Sequence, residues 1–322
     1  MDNSPFISNC TAGGIRDAAL ALKAGHLVAF PTETVYGLGA DARNPEAIKR
    51  VYEVKGRPTD HPLIVHISSL NQLDKWAIDI PEYAIKLARK FWPGPMTLIL
   101  KRSEIAGDFI TGGQDTVGLR VPSDSNAQAL ITEFEKISNS AIAAPSANRF
   151  GQVSPTSASD VLAELGNFLD SGDQILGGGV SSIGIESTII DCTENLPIIL
   201  RPGALTKREI EVELGVLLSA DVNNDTKFSG SFEKHYAPRT RVILDGIPGE
   251  KDGFIAIDTI STPSDALRIA APKDVEEFAR VLYSALREAD NRGLPRLVIE
   301  QPQGDGLAEA IRDRLWRAAN GR

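Results

Sequence analysis

Apolar residues follow two different spacings along the chain, and together they predict an α/β protein. Short buried strands are predicted where four or five apolar residues run together, as in 27–30, 63–67 and 96–100. Helices are predicted where apolar residues recur every three or four positions, as in 15–22 and 84–91. Because some connections are too short for a crossover helix, we expect a twisted sheet of mixed parallel and antiparallel strands, packed with helices.

The same pattern resumes on a smaller scale after a polar stretch. Residues 218–238 are rich in Asp, Asn, Ser, Lys and Gly, which is typical of a linker. Beyond it, strands are predicted at 241–244, 254–257 and 296–300. We therefore expect three parts, namely a large domain over 1–212, a linker or lid over 213–238, and a smaller Rossmann-like α/β domain over 239–322.

Composition and charge narrow the class of protein. The chain has 322 residues, of which 42% are hydrophobic and 24% charged, as in ordinary globular proteins. Its net charge of −9 is unfavourable for strong binding to a nucleic-acid backbone, which is itself negatively charged. Two cysteines, Cys10 and Cys192, cannot build a disulfide framework, and no apolar run approaches membrane-spanning length. We expect a cytoplasmic protein that does not bind membranes.

The stretch 28–42, VAFPTETVYGLGADA, carries the first candidate chemistry. Pro31 closes a predicted strand, and three polar residues, 32–34, follow it. Gly37 and Gly39 would let a ligand or another backbone approach closely. Ligands gather at the carboxyl ends of strands in open α/β sheets, but a polar turn with two packing glycines would show the same pattern.

Charged residues in apolar surroundings are the second group of candidates. Lys55 and Arg57 flank a glycine, which suits a phosphate or carboxylate ligand but also two solvated charges at a helix end. Arg120 lies in an apolar strand and needs an anionic partner, either a protein carboxylate or a substrate carboxylate. His66 shares a strand face with Ile64, which is typical of a core histidine, although a ligand-facing position stays open.

Polar residues beside glycine or proline recur at three further strand ends. APSAN, residues 144–148, offers Ser146 and Asn148, while 184–188 and 201–203 place more polar or cationic side chains there. Turn-forming preference alone would explain each one. The chain has no GxxxxGK[ST] loop, no GxGxxG fingerprint after a strand and no HExxH. A single cavity that gathers side chains from several strand ends is therefore the simplest expectation.

Together these segments resemble the L-threonylcarbamoyladenylate synthases, the YrdC-like family. The matching segments stand in the family's order and cover most of residues 12–210: FPTETVYGLGADA (30–42), KGRP (55–58), PLIVHI (62–67), WPGPMTLIL (92–100), VGLRVP (117–122), APSAN (144–148), GIESTIID (184–191) and LRPGALT (200–206). HYAP, residues 235–238, resembles the linker of the family's longer, two-domain form. Residues 230–234 depart from that linker's usual glycine–methionine–basic–aromatic run.

The resemblance implies a nucleotidyltransferase reaction. L-threonine, bicarbonate or CO2, and ATP would give threonylcarbamoyl-AMP and pyrophosphate, with Mg²⁺ accompanying ATP through its phosphates. Other tRNA-modifying proteins would then take the adenylate. A nucleic-acid-binding module is the first alternative, and the acidic balance disfavours it. A carbamoyl-transferring maturation factor is the second, and it would need cysteine-rich zinc segments.

The resemblance also implies roles for individual residues. The family's lysine-x-arginine and serine-x-asparagine pairs, expected to be catalytic, fall on Lys55, Arg57, Ser146 and Asn148. The expected contacts to ATP are Lys55, Arg57, Thr116, Ala144 (through its backbone), Ser146, Ser154, Arg201, His235 and Tyr236. The expected contacts to threonine are Thr32, His66, Arg120 and Ser187. A lid carrying His235 and Tyr236 would keep water from an unstable adenylate.

Overall fold

The protein is represented by a computed structural model that describes residues 6–218 and 236–321. The described strands are β1 Ile7–Asn9, β2 Val28–Phe30, β3 Gly37–Asp41, β4 Ile64–His66, β5 Met96–Lys101, β6 Thr116–Arg120, β7 Ile142–Ala144, β8 Gln174–Gly177, β9 Thr188–Asp191, β10 Ile198–Arg201, β11 Arg241–Leu244, β12 Gly253–Ile255, β13 Leu267–Ala270 and β14 Arg296–Ile299. The α-helices are α1 Ala12–Lys23, α2 Pro45–Lys55, α3 Leu73–Trp76, α4 Glu82–Phe91, α5 Asp108–Thr111, α6 Ser125–Ser138, α7 Ala158–Leu165, α8 Lys207–Leu214, α9 Val275–Asn291 and α10 Leu307–Asn320.

The first ten strands form one sheet in the order β1-β8-β2-β3-β7-β4-β6-β5-β9-β10. Strand β4 runs parallel to β6 and antiparallel to β7, while β5 runs antiparallel to β6 and parallel to β9. The predicted mixed sheet with helices is therefore confirmed. Its central strands β7, β4 and β6 carry several of the predicted site residues.

Local sequence signals explain where the helices begin and end. Asn44 caps α2 by accepting from two backbone N–H groups, Pro45 occupies the first turn, and Gly56 ends the helix in the left-handed conformation. This cap places Lys55 at the last position of α2. Thr206 and Glu209 form the capping box at the start of α8 that their spacing predicts.

Two stretches that the sequence analysis treated as irregular are strands. The loop expected after Pro31 contains β3, which pairs antiparallel with both β2 and β7. A side chain at Gly39 would come within 2.7 Å of Ile142 and 2.9 Å of Phe30, so glycine is needed for this packing. The stretch before the helix predicted at 15–22 contains β1, an edge strand paired with β8, for which no strand was predicted. Short strands with few apolar residues give little periodic signal.

The second sheet consists of four parallel strands in the order β11-β14-β12-β13, with α9 and α10 in the same part of the chain. This confirms the smaller α/β part. The order of its strands differs from that of a dinucleotide-binding half and so does not confirm a Rossmann-like fold, which stays a prediction. Most of the predicted linker 213–238 lies outside the described residues.

The two parts pack closely against each other. Ile185 of the first part shares a buried apolar cluster with Phe278 and Leu282 of α9. A side chain at Gly184, where φ is +87°, would come within 2.5 Å of the Arg280 Cα atom. Only glycine fits there, so α9 lies directly against the segment that leads into β9. Within 6–218 and 236–321, the helices are too short or too polar to cross a bilayer.

Candidate active site

A cavity lies where strands β3, β4, β6 and β7 meet the segment before β9, with about 480 Å³ of space that includes its opening to solvent. Eight residues that the sequence analysis named for the site line it: Thr32, His66, Arg120, Ala144, Ser146, Ser187, Arg201 and Tyr236. These residues come from segments far apart in the sequence. The expectation of one shared cavity is therefore supported for this set by their position.

Sheet register brings the first of these residues together. His66 is the partner of Arg120 across β4 and β6, and Ile64 is the partner of Ala144 across β4 and β7. Ile64 and His66 do share one face, as strand alternation predicts, and that face is a wall of the cavity. The predicted alternation of His66 with Ile64 is therefore correct, but His66 lies in the wall of the cavity and not inside the packed core.

Arg120 has a protein carboxylate beside it. Its Nη2 atom lies 2.7 Å from Glu33 Oε1, and both side chains are about 5% exposed. The two groups are not aligned as a hydrogen bond, so the contact is an ion pair. Arg120 Nε also donates weakly to the Gly94 carbonyl at 3.4 Å. The ion pair offsets the cost of burying the charge of Arg120.

His66 is held neutral beside that arginine. Burial, followed by the charge of Arg120, lowers the pKa of His66 to about 3. The ring makes an edge contact with Phe30, at 5.8 Å between ring centroids. Its Nδ1 atom is buried and has no hydrogen-bond partner among the described residues. A neutral imidazole with one unused ring nitrogen can exchange a hydrogen bond with a polar ligand.

Hydroxyl groups line the same wall. Thr32 Oγ1 lies 2.8 Å from Thr34 Oγ1 and donates to the Val35 carbonyl at 2.6 Å. Ser187 Oγ lies 2.8 Å from Thr97 Oγ1 and accepts from Arg201 Nη2 at 3.2 Å. Thr32 and Ser187 are both nearly inaccessible to solvent. These contacts fix both side chains at the cavity before any ligand enters.

Lys55 reaches the site from the end of α2. Its Nζ atom donates to the carbonyls of Ser146, at 2.6 Å, and of Asn148. Burial, and then the nearby Arg57, lowers the pKa of Lys55 well below its usual value. The Asn148 side-chain amide donates to Arg149 and Gln152 carbonyls, while its Oδ1 atom is buried without a hydrogen-bond partner among the described residues.

Arg57 is a second buried cation close to Lys55. Its Nη2 donates to the Pro62 carbonyl at 3.1 Å, and its buried Nε has no hydrogen-bond partner in the described part of the chain. Burial lowers the pKa of Arg57 to about 10, and the charge of Arg201 acts in the same direction. Arg57 and Arg201 therefore concentrate positive charge at one end of the site, as an anionic ligand requires, and Lys55 lies beside Arg57.

Five predicted residues are not among those that line the cavity, and a sixth is not described. Lys55 is bonded to the backbone of Ser146 and Asn148, Arg57 is bonded to the Pro62 carbonyl, and Ser154 is held by Glu186. Thr116 lines a separate depression with Lys101 and Arg102, at the far end of β6 from Arg120. His235 lies outside the described residues.

Four contributors to the site were not predicted from the sequence. Tyr36 and Glu186 line the cavity, whereas Tyr283 and Arg314 reach Glu186 from the second part. One signal was available: Arg314 lies on the apolar stripe of α10, between Ile311 and Leu315. A charge at such a position needs a buried partner.

Comparison with known proteins identifies this architecture. A sequence profile of the Sua5, YciO and YrdC proteins, described as "Telomere recombination", matches residues 20–203, more than half of the chain. The chain belongs to the Sua5/YciO/YrdC family. A second profile, described as "Threonylcarbamoyl-AMP synthase, C-terminal domain", matches residues 205–320. The chain therefore has the family's two-domain form, and the resemblance drawn from its motifs is confirmed.

Relatives of similar length support this family assignment. The threonylcarbamoyl-AMP synthase of Pyrococcus abyssi is 43% identical over 325 residues, covering 95% of this chain and 94% of that protein. The Bacillus subtilis protein of the same name is 38% identical, covering 96% and 93%. A crystal structure of Pyrococcus abyssi Sua5 complexed with L-threonine is 40% identical, with a TM-score of 0.87 and 98% coverage of both chains.

Proposed function

We propose that this chain makes threonylcarbamoyl-AMP from L-threonine, bicarbonate or CO2, and ATP, and releases pyrophosphate. Relatives of nearly the same length bear the name of that activity. The observation that carries the proposal is the meeting of a neutral histidine, two buried arginines and several fixed hydroxyls in one cavity. Such a cavity suits an amino acid placed beside a phosphate-bearing ligand.

The threonine side of the site comprises Thr32, His66, Arg120 and Ser187. We assign the substrate carboxylate to Arg120, which lines the cavity and has more N–H donors than its contacts with Glu33 and Gly94 use. Neutral His66 lies beside Arg120 in the sheet and can bond a hydroxyl or amino group without repelling the ammonium form of the substrate.

The nucleotide side comprises the cationic end of the cavity and the loop after β7. We assign Lys55, Arg57 and Arg201 to phosphate and carbamate charge, and Ser146 and Asn148 to positioning the same groups. Ala144 (through its backbone), Ser154 and Tyr236 would complete the nucleotide contacts, with His235 on the adjoining linker and Thr116 if the nucleotide extends along β6. The buried Arg57 Nε atom supports this assignment, because it is a donor without a hydrogen-bond partner among the described residues.

The reaction needs positioned charge more than a protein nucleophile. The threonine amine attacks the carbon of CO2 and loses a proton, which gives a carbamate; starting from bicarbonate, water is also released. A carbamate oxygen then attacks the α-phosphorus, and the bond to the departing pyrophosphate breaks. Negative charge grows on phosphoryl oxygens, where the buried cations can stabilise it.

Mg²⁺ would enter as part of the ATP substrate. Among the described residues, no group of three or more His, Cys, Asp and Glu side chains is placed to hold a metal ion. The one carboxylate that the structure shows on the nucleotide side, Glu186, is already bonded to Ser154, Tyr283 and Arg314, so the phosphates would supply the ligands that Mg²⁺ prefers. The buried cationic side chains would then neutralise the part of the phosphate charge that Mg²⁺ does not.

We also propose how the chain is divided and where the product goes. In the division into 1–212, 213–238 and 239–322, the third part is supported by β11 beginning at Arg241, whereas α8 runs to Leu214, two residues past the end of the first part. The linker would close over the cavity, where Tyr236 is already buried. The adenylate would pass to tRNA-modifying proteins in the cytoplasm, a compartment that suits two free cysteines.

Pyrophosphate release tests the proposed reaction. Purified protein is expected to release pyrophosphate, and to incorporate labelled bicarbonate into a threonine- and AMP-containing product, only when threonine, bicarbonate and ATP are all present. Serine, which lacks the threonine methyl group, serves as the matched substrate control. Pyrophosphate release from ATP without threonine or without bicarbonate would contradict the proposal.

A further inference from the structure

A buried carboxylate in the cavity wall is held by the second domain. Glu186 is 6% exposed and lines the cavity. Its Oε2 atom accepts hydrogen bonds from Tyr283 Oη at 2.8 Å and from Arg314 Nε at 2.9 Å. Tyr283 belongs to α9 and Arg314 to α10, and both side chains are fully buried. Two helices of the C-terminal domain thus meet on one oxygen of a cavity residue.

The other oxygen of Glu186 controls a residue on the nucleotide side. Oε1 accepts from Ser154 Oγ at 2.6 Å. A serine hydroxyl has one proton, so this bond leaves Ser154 Oγ with acceptor capacity only and sets its direction. Any shift of the Glu186 carboxylate would therefore move or redirect the Ser154 hydroxyl.

Arg314 fastens the two domains together at the same place. Besides Glu186, its guanidinium bonds the Pro202 carbonyl at 2.9 Å and Asp313 Oδ2 at 2.6 Å. Tyr236 lies next to the pair, with its ring centroid 5.7 Å from that of Tyr283 and 5.6 Å from the Arg314 guanidinium carbon. Burial alone would raise the pKa of Glu186, but Arg314 and then Arg201 lower it to about 2, so the carboxylate stays charged.

We infer that Glu186 is a positioning residue through which the C-terminal domain orders the nucleotide side of the site. Tyr283 and Arg314 fix the Glu186 carboxylate, and the carboxylate fixes Ser154. The inference rests on the proposed function in one respect, namely the assignment of Ser154 to the nucleotide. The second domain then helps to build the nucleotide site, in addition to any part it has in closing the cavity.

Titration of two ligands tests this link without turnover. Tyr283→Phe removes one hydroxyl and keeps the ring, and it is expected to raise the Kd of α,β-methylene-ATP roughly threefold to tenfold. The Kd of L-threonine alone should stay within twofold. Tyr83→Phe is the matched control, because its hydroxyl bonds the Glu194 carbonyl at 2.7 Å far from the cavity. Equal nucleotide affinities for the two variants would overturn the inference, as would an equal loss of both ligands in Tyr283→Phe.

A double-variant cycle shows whether the effect passes through Ser154. In a Ser154→Ala background, Tyr283→Phe is expected to change the nucleotide Kd by less than twofold, because the link is already cut. Additive effects would overturn the inference. If Tyr283→Phe folds poorly, Glu186→Gln tests the same link and should also weaken nucleotide binding selectively; unchanged affinity would overturn the inference as well. Wild-type protein that binds the analogue but makes no adenylate would count against the proposed function alone, whereas failure to bind the analogue would overturn the inference.

Discussion

The Lys55 ammonium group is bound to the backbone carbonyl of Ser146, with 2.6 Å between Nζ and O. A second bond to the Asn148 carbonyl completes the attachment. The lysine of the lysine-x-arginine pair and the backbone of the serine-x-asparagine pair are therefore parts of one structural unit. Because burial lowers the pKa of Lys55, an anionic ligand beside this unit would favour its charged form.

Replacing Lys55 should damage both catalysis and the loop that it holds. Lys55→Met leaves two buried carbonyls without their donor, so we expect the free energy of unfolding to fall by about 1–3 kcal/mol. We expect kcat/KM for ATP to fall by roughly a hundredfold or more. Urea unfolding and steady-state kinetics measure the two effects. The control is Lys49→Met, at a lysine of the same helix whose side chain is 64% exposed. It should change neither the free energy of unfolding nor kcat/KM measurably, and equal effects of the two variants would refute the assignment.

Arg120→Lys tests the threonine side of the cavity. Lysine keeps the charge but loses the planar fork that can hold a carboxylate and Glu33 at once. The KM for threonine should rise about tenfold to a hundredfold, with a much smaller change in the KM for ATP. Arg89→Lys, an exposed change on α4, is the control. A rise confined to the ATP KM would show that Arg120 serves the nucleotide instead.

The buried neutral state of His66 predicts a dependence of stability on pH. The folded protein binds this proton only near pH 3, whereas the unfolded chain binds it near pH 6.5. Between those values the unfolded state holds more protons, so stability falls as the pH is lowered. The contribution is at most about 1.4 kcal/mol per pH unit below pH 6.5. Unfolding of the wild type and of His66→Gln from pH 7 to pH 4 should show a steeper loss in the wild type, with His26→Gln as control. Parallel curves would mean that His66 titrates normally.

Thr116 tests how far the nucleotide extends. It lies four residues before Arg120 on the same face of β6, about 13 Å away, and outside the cavity lining. If the nucleotide runs along this face, as proposed, Thr116→Val should raise the KM for ATP several-fold and leave the KM for threonine unchanged. A wild-type KM for ATP in Thr116→Val would exclude Thr116 from the site and confine the nucleotide to the cavity.

Much of the fold was predictable because local signals agree with the final structure. The capping box at Thr206 lies where the spacing of Thr206 and Glu209 predicts it. The apolar stripes of the helices and the apolar runs of β4 and β5 lie where hydrophobic periodicity predicts them. Strand β3 was missed because its glycines and alternating small residues carry a weak strand signal, and only its packing between β2 and β7 explains it.

The site was predictable in its membership and not in its internal contacts. The motifs named Arg120 but left its partner open, and only the meeting of separate segments shows that Glu33 lies beside it. Lys55 and Ser146, 91 positions apart, likewise meet through tertiary packing, which no local pattern encodes. The hydrogen bond from Arg314 of the second domain to Glu186 could not be predicted for the same reason. The position of Arg314 on an apolar helix face indicated only that it has a buried partner.

A crystal structure of the protein with L-threonine and α,β-methylene-ATP tests the central claim most directly. We predict the threonine carboxylate at Arg120, with the α-phosphate at the cationic end of the same cavity, near Ser146 and Arg201. Threonine and nucleotide bound in separate places, or a nucleotide that touches neither residue, would contradict the account.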